Sequence, residues 1–340
     1  MTQEKPIVSI IVPTRNRPHS LRRCLQSLCD LRSSVPYEVV VVDSCSATPV
    51  EPVVREFMGR MEVRLAMALR PGLHVARHTG YRNARGAILS YLDDDVTVGP
   101  SWVDAIAQTF CDRRVLLVGG NVLPVFETSP PWWLRQLWEH QECDGTRVIA
   151  ELSLVDMGTT AREVDPRYVF GCNFSVRRDA LVAAGGFHPD AMPPGQLRLR
   201  GDGETHVSDF LRRLGAMARF EPKATVHHWV PPERITPEYF EQRAFAQGVT
   251  DSYSAIRRAR GLPGVAESSW YFVRWWVELS ASYRQVVAAK TPEELRLVRL
   301  RMRFRRAYWS GFYWHKDEVR QDADLLAWVL RPNYWDDTAS

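Results

Sequence analysis

Three consecutive aspartates, Asp93, Asp94 and Asp95, are the residues of this sequence whose arrangement most directly indicates chemistry. They follow residues 87–92, an apolar run that is typical of a buried strand. Mg²⁺ and Mn²⁺ take oxygen ligands, often one or two carboxylates together with substrate phosphates. Three adjacent negative charges directly after an apolar strand are costly unless a cation or hydrogen-bond donors compensate them. The triplet therefore favours a metal or phosphate site over a solvated acidic turn.

The elements that would position this triplet are those of an α/β sheet. Residues 7–12 and 37–43 are nearly continuous β-branched apolar runs, and residues 20–31 between them carry leucines on one helical face. Strands that are buried on both faces indicate a mainly parallel sheet with helices on both sides. Ligand sites in such sheets lie at the carboxyl ends of the strands. The triplet stands at one of these ends.

The alternation of strands and helices continues to about residue 118 and returns from residue 171. Between residues 124 and 167 the periodicity is lost, and we expect a long irregular excursion over one side of the sheet. A loop rich in Pro and Gly over residues 187–203 precedes a helix over 205–214 and a strand over 224–230.

Four sequence blocks occur in a distinctive order. They are VSIIVPTRNR at residues 8–17, EVVVVDS at 38–44, the Ala-Arg pairs at 76–77 and 84–85, and LDDD at 92–95. With this order and spacing, the chain resembles the inverting glycosyltransferases of family 2, which have the GT-A fold. The resemblance covers about residues 6–250. It implies a mixed, mainly parallel sheet with helices on both faces, followed here by a helical C-terminal tail.

The resemblance implies a nucleotide-sugar donor, with UDP the more frequent nucleotide in the family. The aspartate that closes the second strand, Asp43, would contact the nucleotide base, and LDDD would be the DxD motif that binds metal and ribose-diphosphate. His78 stands where the family usually has Asn, which affects one hydrogen bond to the donor. The implied donor-binding residues are Pro13, Thr14, Arg15, Arg17, Asp43, Arg77, Asp93, Asp94 and Arg234.

The resemblance also implies a divalent metal, Mn²⁺ or Mg²⁺, held by Asp93, Asp95 and His228. His227 and His228 would face opposite sides of a strand, so one of them can be a ligand, and the family spacing selects His228. Imidazole suits Mn²⁺ better than Mg²⁺. Arg234, which follows shortly after, would pair with the leaving diphosphate or form a surface ion pair.

The family's catalytic base lies in a Glu-Asp block, and this chain departs from it. Glu204 takes the Glu position, whereas Thr205 replaces the Asp. The reaction needs a carboxylate that takes the proton from the acceptor hydroxyl. Glu204 is the first candidate and Asp202 the second. Asp202 could equally be an acidic residue that stabilises the start of a helix through its dipole.

Two tryptophans in the irregular stretch, Trp132 and Trp133, are candidates for acceptor binding. Aromatic rings stack on sugars, although filling a core is the commoner role of tryptophan. The acceptor class stays open between a saccharide, a lipid-linked molecule and a small molecule. No nucleic-acid recognition motif accompanies the basic residues, so we expect no nucleic-acid partner.

Two other functions are compatible with parts of the sequence. A non-catalytic module that binds nucleotide sugars would explain the missing Asp at Thr205. A sugar nucleotidyltransferase would share the sheet and the acidic motif, but it needs a Gly-rich, basic triphosphate loop after the first strand, which is absent here.

The domain division follows the position of these blocks. We expect a catalytic domain over residues 1–250, with a nucleotide-sugar half over about 1–120 and an acceptor half over about 121–250, and a helical, basic and aromatic extension over 251–340. The extension has 15 Lys and Arg against 11 Asp and Glu, so it carries the whole net charge of +4. Within it, residues 297–314 place five arginines among six aromatic residues.

Three roles compete for this basic, aromatic segment: packing on the catalytic domain, contact with a membrane surface, or recognition of an anionic acceptor. We favour packing with partial membrane contact. The sequence has no apolar window of about 18 residues and no signal-peptide core. We therefore expect a cytoplasmic protein, with peripheral contact at the inner face of the membrane through this segment. Six scattered cysteines without a CxxC pair argue against structural zinc.

Overall fold

The computed structural model describes residues 7–193, 195–262 and 264–338, without the side chains of residues 265–268, 272, 282 and 338. The first part of the chain alternates strands and helices, as the apolar runs predict. Its elements are β1 (Val8–Thr14), α1 (Pro18–Cys29), β2 (Tyr37–Asp43), α2 (Glu51–Arg55), β3 (Val63–Met67), α3 (Leu73–Asn83), β4 (Ile88–Leu92), β5 (Val96–Val98), α4 (Trp102–Thr109) and β6 (Val115–Gly119).

The second part begins with shorter elements and ends in long helices. Its strands and short helices are β7 (Val122–Phe126), α5 (Trp132–Glu139), β8 (Arg147–Ile149), β9 (Leu154–Asp156), β10 (Arg162–Val164), β11 (Asn173–Arg177), α6 (Arg178–Ala183), α7 (Thr205–Arg213), β12 (Met217–Phe220) and β13 (Val226–Val230). The C-terminal helices are α8 (Pro237–Ala259), α9 (Val265–Ala288), α10 (Pro292–Gln321) and α11 (Ala323–Val329).

The larger sheet has eight strands in the order β10-β12-β6-β11-β4-β1-β2-β3. Strands β4, β1, β2 and β3 are parallel, as is the pair β6 and β12, whereas β11 and β10 run antiparallel to their neighbours. Side chains alternate between two cores: Ile10 packs with α1 on one face, and Ile11 packs with α3 on the other. The predicted mixed, mainly parallel sheet with helices on both faces is confirmed.

A second sheet, in the order β5-β13-β7-β9-β8, lies outside the sequence prediction. Its strands β5, β8 and β9 have three residues each, which is too short for a periodic pattern to show. The stretch over residues 124–167 is therefore more regular than expected, because it holds α5 and three short strands. This sheet brings the end of β13 beside the residues that follow β4, since β13 pairs with β5.

The predicted helical tail is confirmed, and two of the long C-terminal helices, α8 and α10, touch through glycines. A Cβ atom at Gly248 of α8 would lie 1.9 Å from the carbonyl oxygen of Tyr308, and one at Gly311 of α10 would lie 2.0 Å from that of Phe245. The helix backbones therefore approach more closely than larger residues would allow. Helix α8 runs through residue 250, the expected domain boundary, so that division stays a prediction.

The end of the chain returns to helix α3. The ring of Trp335 packs against His78 at a tilt of 31°, with centroids 4.1 Å apart, and Asp337 accepts from His74 at 3.2 Å and from Arg70 at 3.1 Å. The tail is thus packed against the region that was expected to bind the donor. Across the described part of the chain, no helix combines the length and the apolar character that crossing a membrane requires.

Candidate active site

A cleft of about 540 Å³ opens beyond the carboxyl ends of β1 and β4. It is the place where the sequence predicted a ligand, since loops leave the sheet there. Most of the predicted site residues line it: Pro13, Thr14, Arg15, Arg17, Arg77, Asp93, Asp94, Asp95, Glu204, His228 and Arg234. The positions of these residues agree with the sequence analysis, while their roles stay predictions.

The acidic triplet is held by the loop that follows β1. Thr14 Oγ1 donates to Asp94 Oδ2 at 2.7 Å, and Arg17 Nη1 donates to Asp94 at 3.1 Å and to Asp95 at 3.0 Å. Asp94 and Asp95 are buried, so the triplet is not a solvated turn. Burial raises the pKa of Asp94 to about 6, although the charge of Arg17 opposes this shift. The loop therefore compensates the triplet only in part.

Asp95 forms a cluster with a histidine of β13 and with an arginine that follows this strand. His228 Nε2 is 3.4 Å from Asp95 Oδ1, and Arg234 Nη1 is 3.0 Å from Asp95 Oδ2. The antiparallel pairing of β5 with β13 produces this proximity, and the amide of Trp229 donates to the carbonyl of Asp95 at 2.9 Å. His227 faces out and His228 faces in, as the strand alternation predicted.

Opposite effects act on the pKa values of the two outer aspartates. Burial opposes ionisation of Asp95, but His228, Arg234 and Arg17 outweigh it and hold its pKa below the usual range. Burial raises the pKa of Asp93, and the nearby charge of Asp95 adds to that shift. A cation placed between these groups would favour their ionised forms.

Two of the expected ligands fit a divalent cation. Asp95 Oδ1 is a buried carboxylate oxygen without a hydrogen-bond partner, and His228 Nε2 is its near neighbour. Among the described residues, Asp93 does not complete a compact three-ligand set with them. Two protein ligands suit an ion whose remaining positions are filled by substrate phosphates and water.

Glu204 is fixed in the cleft by two donors. Arg77 Nη1 lies 2.9 Å from Glu204 Oε2, and the amide of Gly171 donates to Glu204 Oε1 at 3.0 Å. A Cβ atom at Gly171 would lie 2.3 Å from Arg77 Nη2 and 2.7 Å from Glu204 Oε1, so a side chain there would separate the pair. Glycine at this position lets the carboxylate approach the backbone.

The second candidate for the base is not brought to the cleft. Asp202 Oδ1 lies 2.6 Å from His188 Nδ1, and Ser254 Oγ donates to Asp202 Oδ2 at 2.9 Å. Burial opposes its ionisation, but His188 and the hydrogen bonds outweigh this and lower the pKa of Asp202 to about 2. Gly203, with φ of +53°, turns the chain between Asp202 and Glu204. Asp202 thus stabilises a buried polar cluster.

Asp43 and His78 lie near the cleft without lining it. Asp43 is buried and accepts from the amide of Ser46 at 2.9 Å, while its neighbour Ser44 lines the cleft. His78 is also buried, and its Nε2 accepts from the amide of Phe187 at 2.9 Å. The histidine that replaces the family's Asn therefore lies on the buried side of α3, in the core.

The two tryptophans proposed for the acceptor lie away from the cleft. Trp133 is buried in the main core, where its ring packs edge-on against Phe240 at 4.9 Å, and Trp132 packs partly against the same core. The reason is helix α5, which begins at Trp132 and turns its apolar face inward. Trp133 therefore fills the core, which is the commoner role of tryptophan.

Several cleft residues escaped the sequence analysis, of which Asp190 is the most relevant to chemistry. Asp190 Oδ1 is 2.7 Å from Arg200 Nη2, and the carbonyl of Asp190 accepts from the amide of Leu73. Burial opposes its ionisation, but Arg200 and Arg77 outweigh it and lower its pKa. The sequence did offer one sign of Asp190: it and Asp202 are the two carboxylates in the loop over residues 187–203, and only Asp202 was considered. The other missed residues include Glu151, Ser153, Tyr239 and Arg243.

Comparisons with known proteins agree with this architecture. The family described as "Glycosyl transferase family 2" matches residues 9–182. Glycosyltransferase AglE of Haloferax volcanii is 33% identical over 126 residues, which are 36% of this chain and 41% of that protein. The pre-mycofactocin glycosyltransferase of Mycobacterium tuberculosis is 30% identical over 228 residues, which are 65% of this chain and 42% of that protein. The matches thus span about two fifths of these relatives.

Two further proteins match over most of their length. Succinoglycan biosynthesis protein ExoM of Rhizobium meliloti is 25% identical over 268 residues, which are 77% of this chain and 79% of that protein. The mannosyltransferase PcManGT of Pyrobaculum calidifontis, solved with GDP-Man and Mn²⁺, is 19% identical and shares the fold with a TM-score of 0.55 over 98% of this chain and 88% of that one. The chain belongs to glycosyl transferase family 2.

Proposed function

We propose that the protein transfers a sugar from a nucleoside-diphosphate donor to an acceptor hydroxyl, with a divalent cation and with inversion at the anomeric carbon. The observation that carries the proposal is the shared cleft. Asp95, His228 and Arg234 line it together with Glu204. The first three would bind the diphosphate, and Glu204 would face the acceptor.

The donor half of the proposal uses the loop after β1 and the end of β4. Thr14, Arg15 and Arg17 would bind the nucleotide diphosphate, Asp93 would contact the ribose or the metal, and Arg77 would lie beside the sugar. UDP is our first choice, on family frequency. GDP is the alternative, since the mannosyltransferase with the same fold was solved with GDP-Man.

The diphosphate is the group on which charge develops as the sugar leaves. Arg17 and Arg234 already converge on Asp95 Oδ2, and both guanidinium groups could turn towards phosphate oxygens. A Mn²⁺ or Mg²⁺ ion bound by Asp95 and His228, with Asp93 nearby, would supply charge neutralisation of the leaving diphosphate. Arg17 is partly exposed, which leaves it free to follow the ligand.

The acceptor half of the proposal assigns the general base to Glu204. A carboxylate can take the proton as the acceptor hydroxyl attacks the anomeric carbon, and direct displacement inverts that centre. Arg77 and the amide of Gly171 hold the carboxylate in one orientation, which favours a reactive geometry. Asp190, already paired with Arg200, is another carboxylate that lines the cleft.

The domain division and the location are part of the same proposal. Residues 1–250 would perform the transfer, with the donor half over about 1–120 and the acceptor half over about 121–250. Residues 251–340 would pack on this domain and contact a membrane peripherally. The acceptor would then be met in the cytoplasm or at the inner face of the membrane, as a saccharide, a lipid-linked molecule or a small molecule.

The test is release of nucleoside diphosphate from a panel of UDP- and GDP-sugars by the purified protein with Mn²⁺. We expect one donor to be hydrolysed slowly without an acceptor, and the release to stop with EDTA. Donor binding without any release, with or without candidate acceptors, would favour the non-catalytic module. Formation of pyrophosphate from UTP and a sugar phosphate would favour the nucleotidyltransferase.

A further inference from the structure

Helix α9 turns an apolar face towards the solvent. Six of its large apolar and aromatic residues are between 51% and 70% exposed, and their spacing of three, four and seven residues places them on one side of the helix. We call this surface the α9 face. It consists of Trp270, Val273, Trp276, Val277, Tyr283 and Val287.

Two charged residues of α9 lie on its opposite side, whereas Arg284, seven residues after Val277, is exposed on the same side as the α9 face. Arg274 and Glu278 form an ion pair at 2.9 Å, and Glu278 also accepts from Trp309 Nε1 at 3.0 Å, both towards α10. Tyr271 is buried there against Phe312, with ring centroids 4.7 Å apart. A surface helix normally has its apolar side inward and its charges outward. This helix reverses the pattern, which marks the outer side as an interaction surface.

Positive charge lies beside the α9 face. Arg299 and Arg306 of α10 are exposed and form no ion pair with any residue that the structure describes. They border a groove of about 640 Å³ between α9 and α10. The floor of the groove is apolar, with Trp275, Leu279, Met302 and Trp309. The surface therefore joins an apolar stripe to an uncompensated basic rim.

We propose that the α9 face and the arginines beside it dock on an anionic lipid bilayer. The apolar residues would enter the boundary between headgroups and acyl chains, where Trp and Tyr are favoured. Arg299 and Arg306 would contact lipid phosphates, and the groove would accept part of an acyl chain. A second copy of this chain would bring the same arginines towards one another, whereas anionic headgroups neutralise them.

This surface differs from the segment that the sequence suggested. Residues 297–314 were the candidate for membrane contact, but Trp309 and Phe312 in that segment are buried against α9. The segment contributes Arg299 and Arg306 to the surface and Met302 and Trp309 to the floor of the groove, whereas the exposed apolar residues come from α9. The proposal is independent of the transfer reaction, because it concerns binding to lipid and can hold whatever the donor is.

The test is flotation of the full-length protein with vesicles of phosphatidylcholine alone, or mixed in equal parts with phosphatidylglycerol. We expect flotation with the anionic vesicles at low salt, weaker flotation at high salt, and none with phosphatidylcholine alone. Recovery of the unchanged protein below both kinds of vesicle would overturn the proposal.

Variants locate the binding surface. Val273→Asp with Val277→Asp should abolish flotation, whereas Leu69→Asp with Leu214→Asp, at apolar positions 65% and 63% exposed elsewhere, should not. Arg299→Ala with Arg306→Ala should weaken binding by about 25-fold, at about fivefold for each arginine, whereas the exposed Arg213→Ala should change it less than twofold.

Two results of these variants would contradict the proposal. One is equal flotation of the Val273→Asp, Val277→Asp variant and its control, with both proteins folded by thermal melting. The other is a dimer of the unchanged protein in sedimentation that becomes a monomer in that variant, because a second copy would then cover the α9 face.

Discussion

Arg77 Nη1 lies 2.9 Å from Glu204 Oε2, and this ion pair links helix α3 to the loop that leads into α7. The arginine is buried, and the other oxygen of the carboxylate accepts from the amide of Gly171. Three distant parts of the chain therefore determine the orientation of one carboxylate in the cleft. This relationship makes Glu204 a better candidate for the base than its sequence alone suggested.

Glu204→Gln should lower the rate of transfer by about 10²–10⁴-fold, because an amide cannot take the acceptor proton. The amide oxygen can still accept from Gly171, so the cleft should keep its shape. Donor affinity should therefore change little, and the loss should lie in kcat. Nucleotide release and donor titration measure the two quantities.

Asp202→Asn is the matched control for Glu204. It removes a carboxylate two residues away that contacts His188 and Ser254. We expect this variant to lose about 1–3 kcal/mol of stability and to keep most of its activity while folded. A full rate in Glu204→Gln together with a lost rate in folded Asp202→Asn would reverse the assignment.

Gly171→Ala should reduce transfer at least tenfold. The added methyl group would lie 2.3 Å from Arg77 Nη2 and 2.7 Å from Glu204 Oε1, so it would push the ion pair apart. Gly99→Ala is the control, since a Cβ atom there has no heavy atom within 4 Å. Equal rates for the two variants would show that the position of Glu204 does not matter for catalysis.

The long strands were predictable because β1, β2 and β4 are continuous apolar runs, and the position of the triplet followed from the end of β4. Helix α5 was not predicted, because the two prolines before Trp132 suggested a loop. Pro131 is in fact the residue that precedes the helix, where proline is tolerated. The apolar face of α5 then buried Trp133.

The choice between Asp202 and Glu204 needed tertiary structure. The two residues are two positions apart, and local spacing would place them in similar surroundings. The positive φ of Gly203 turns them to different sides, one to the cluster with His188 and the other to the cleft. Asp190 was missed for the same reason, because no periodic element marks the loop that holds it.

The protein should lose stability on mild acidification through His206. Burial, with the nearby charge of His188, lowers the pKa of His206 to about 4 from 6.5. The unfolded chain therefore binds a proton that the folded chain does not, and stability falls as the pH drops below 6.5 and levels off near 4. Between about pH 7.5 and about pH 5, the titration of His206 alone should lower the free energy of unfolding by about 2 kcal/mol.

His206→Gln should make the unfolding free energy less dependent on pH over that range. A glutamine amide can still donate to the carbonyl of Ala184, the acceptor that His206 Nε2 contacts at 2.7 Å. Urea unfolding at several pH values gives the comparison. The same decline in both proteins would mean that His206 is not the group that titrates.

Trp335→Ala should destabilise the protein by about 2 kcal/mol, because the ring packs against His78 and Tyr81 and anchors the end of the chain on α3. Nucleotide affinity at a temperature where the variant is folded should be unchanged. Thermal melting and titration check the two parts. A normal melting temperature would mean that this anchor contributes little.

The most direct test of the account is nucleotide binding by calorimetry with Mn²⁺, for the unchanged protein and for Asp95→Ala. Asp112→Ala, at an exposed ion pair with Arg114, is the control. We predict that UDP or GDP binds the unchanged protein and the control in a manner that EDTA abolishes, and that Asp95→Ala loses this metal-supported binding while remaining folded. Nucleotide affinity that is the same in all three proteins, with and without EDTA, would contradict the assignment of the cleft.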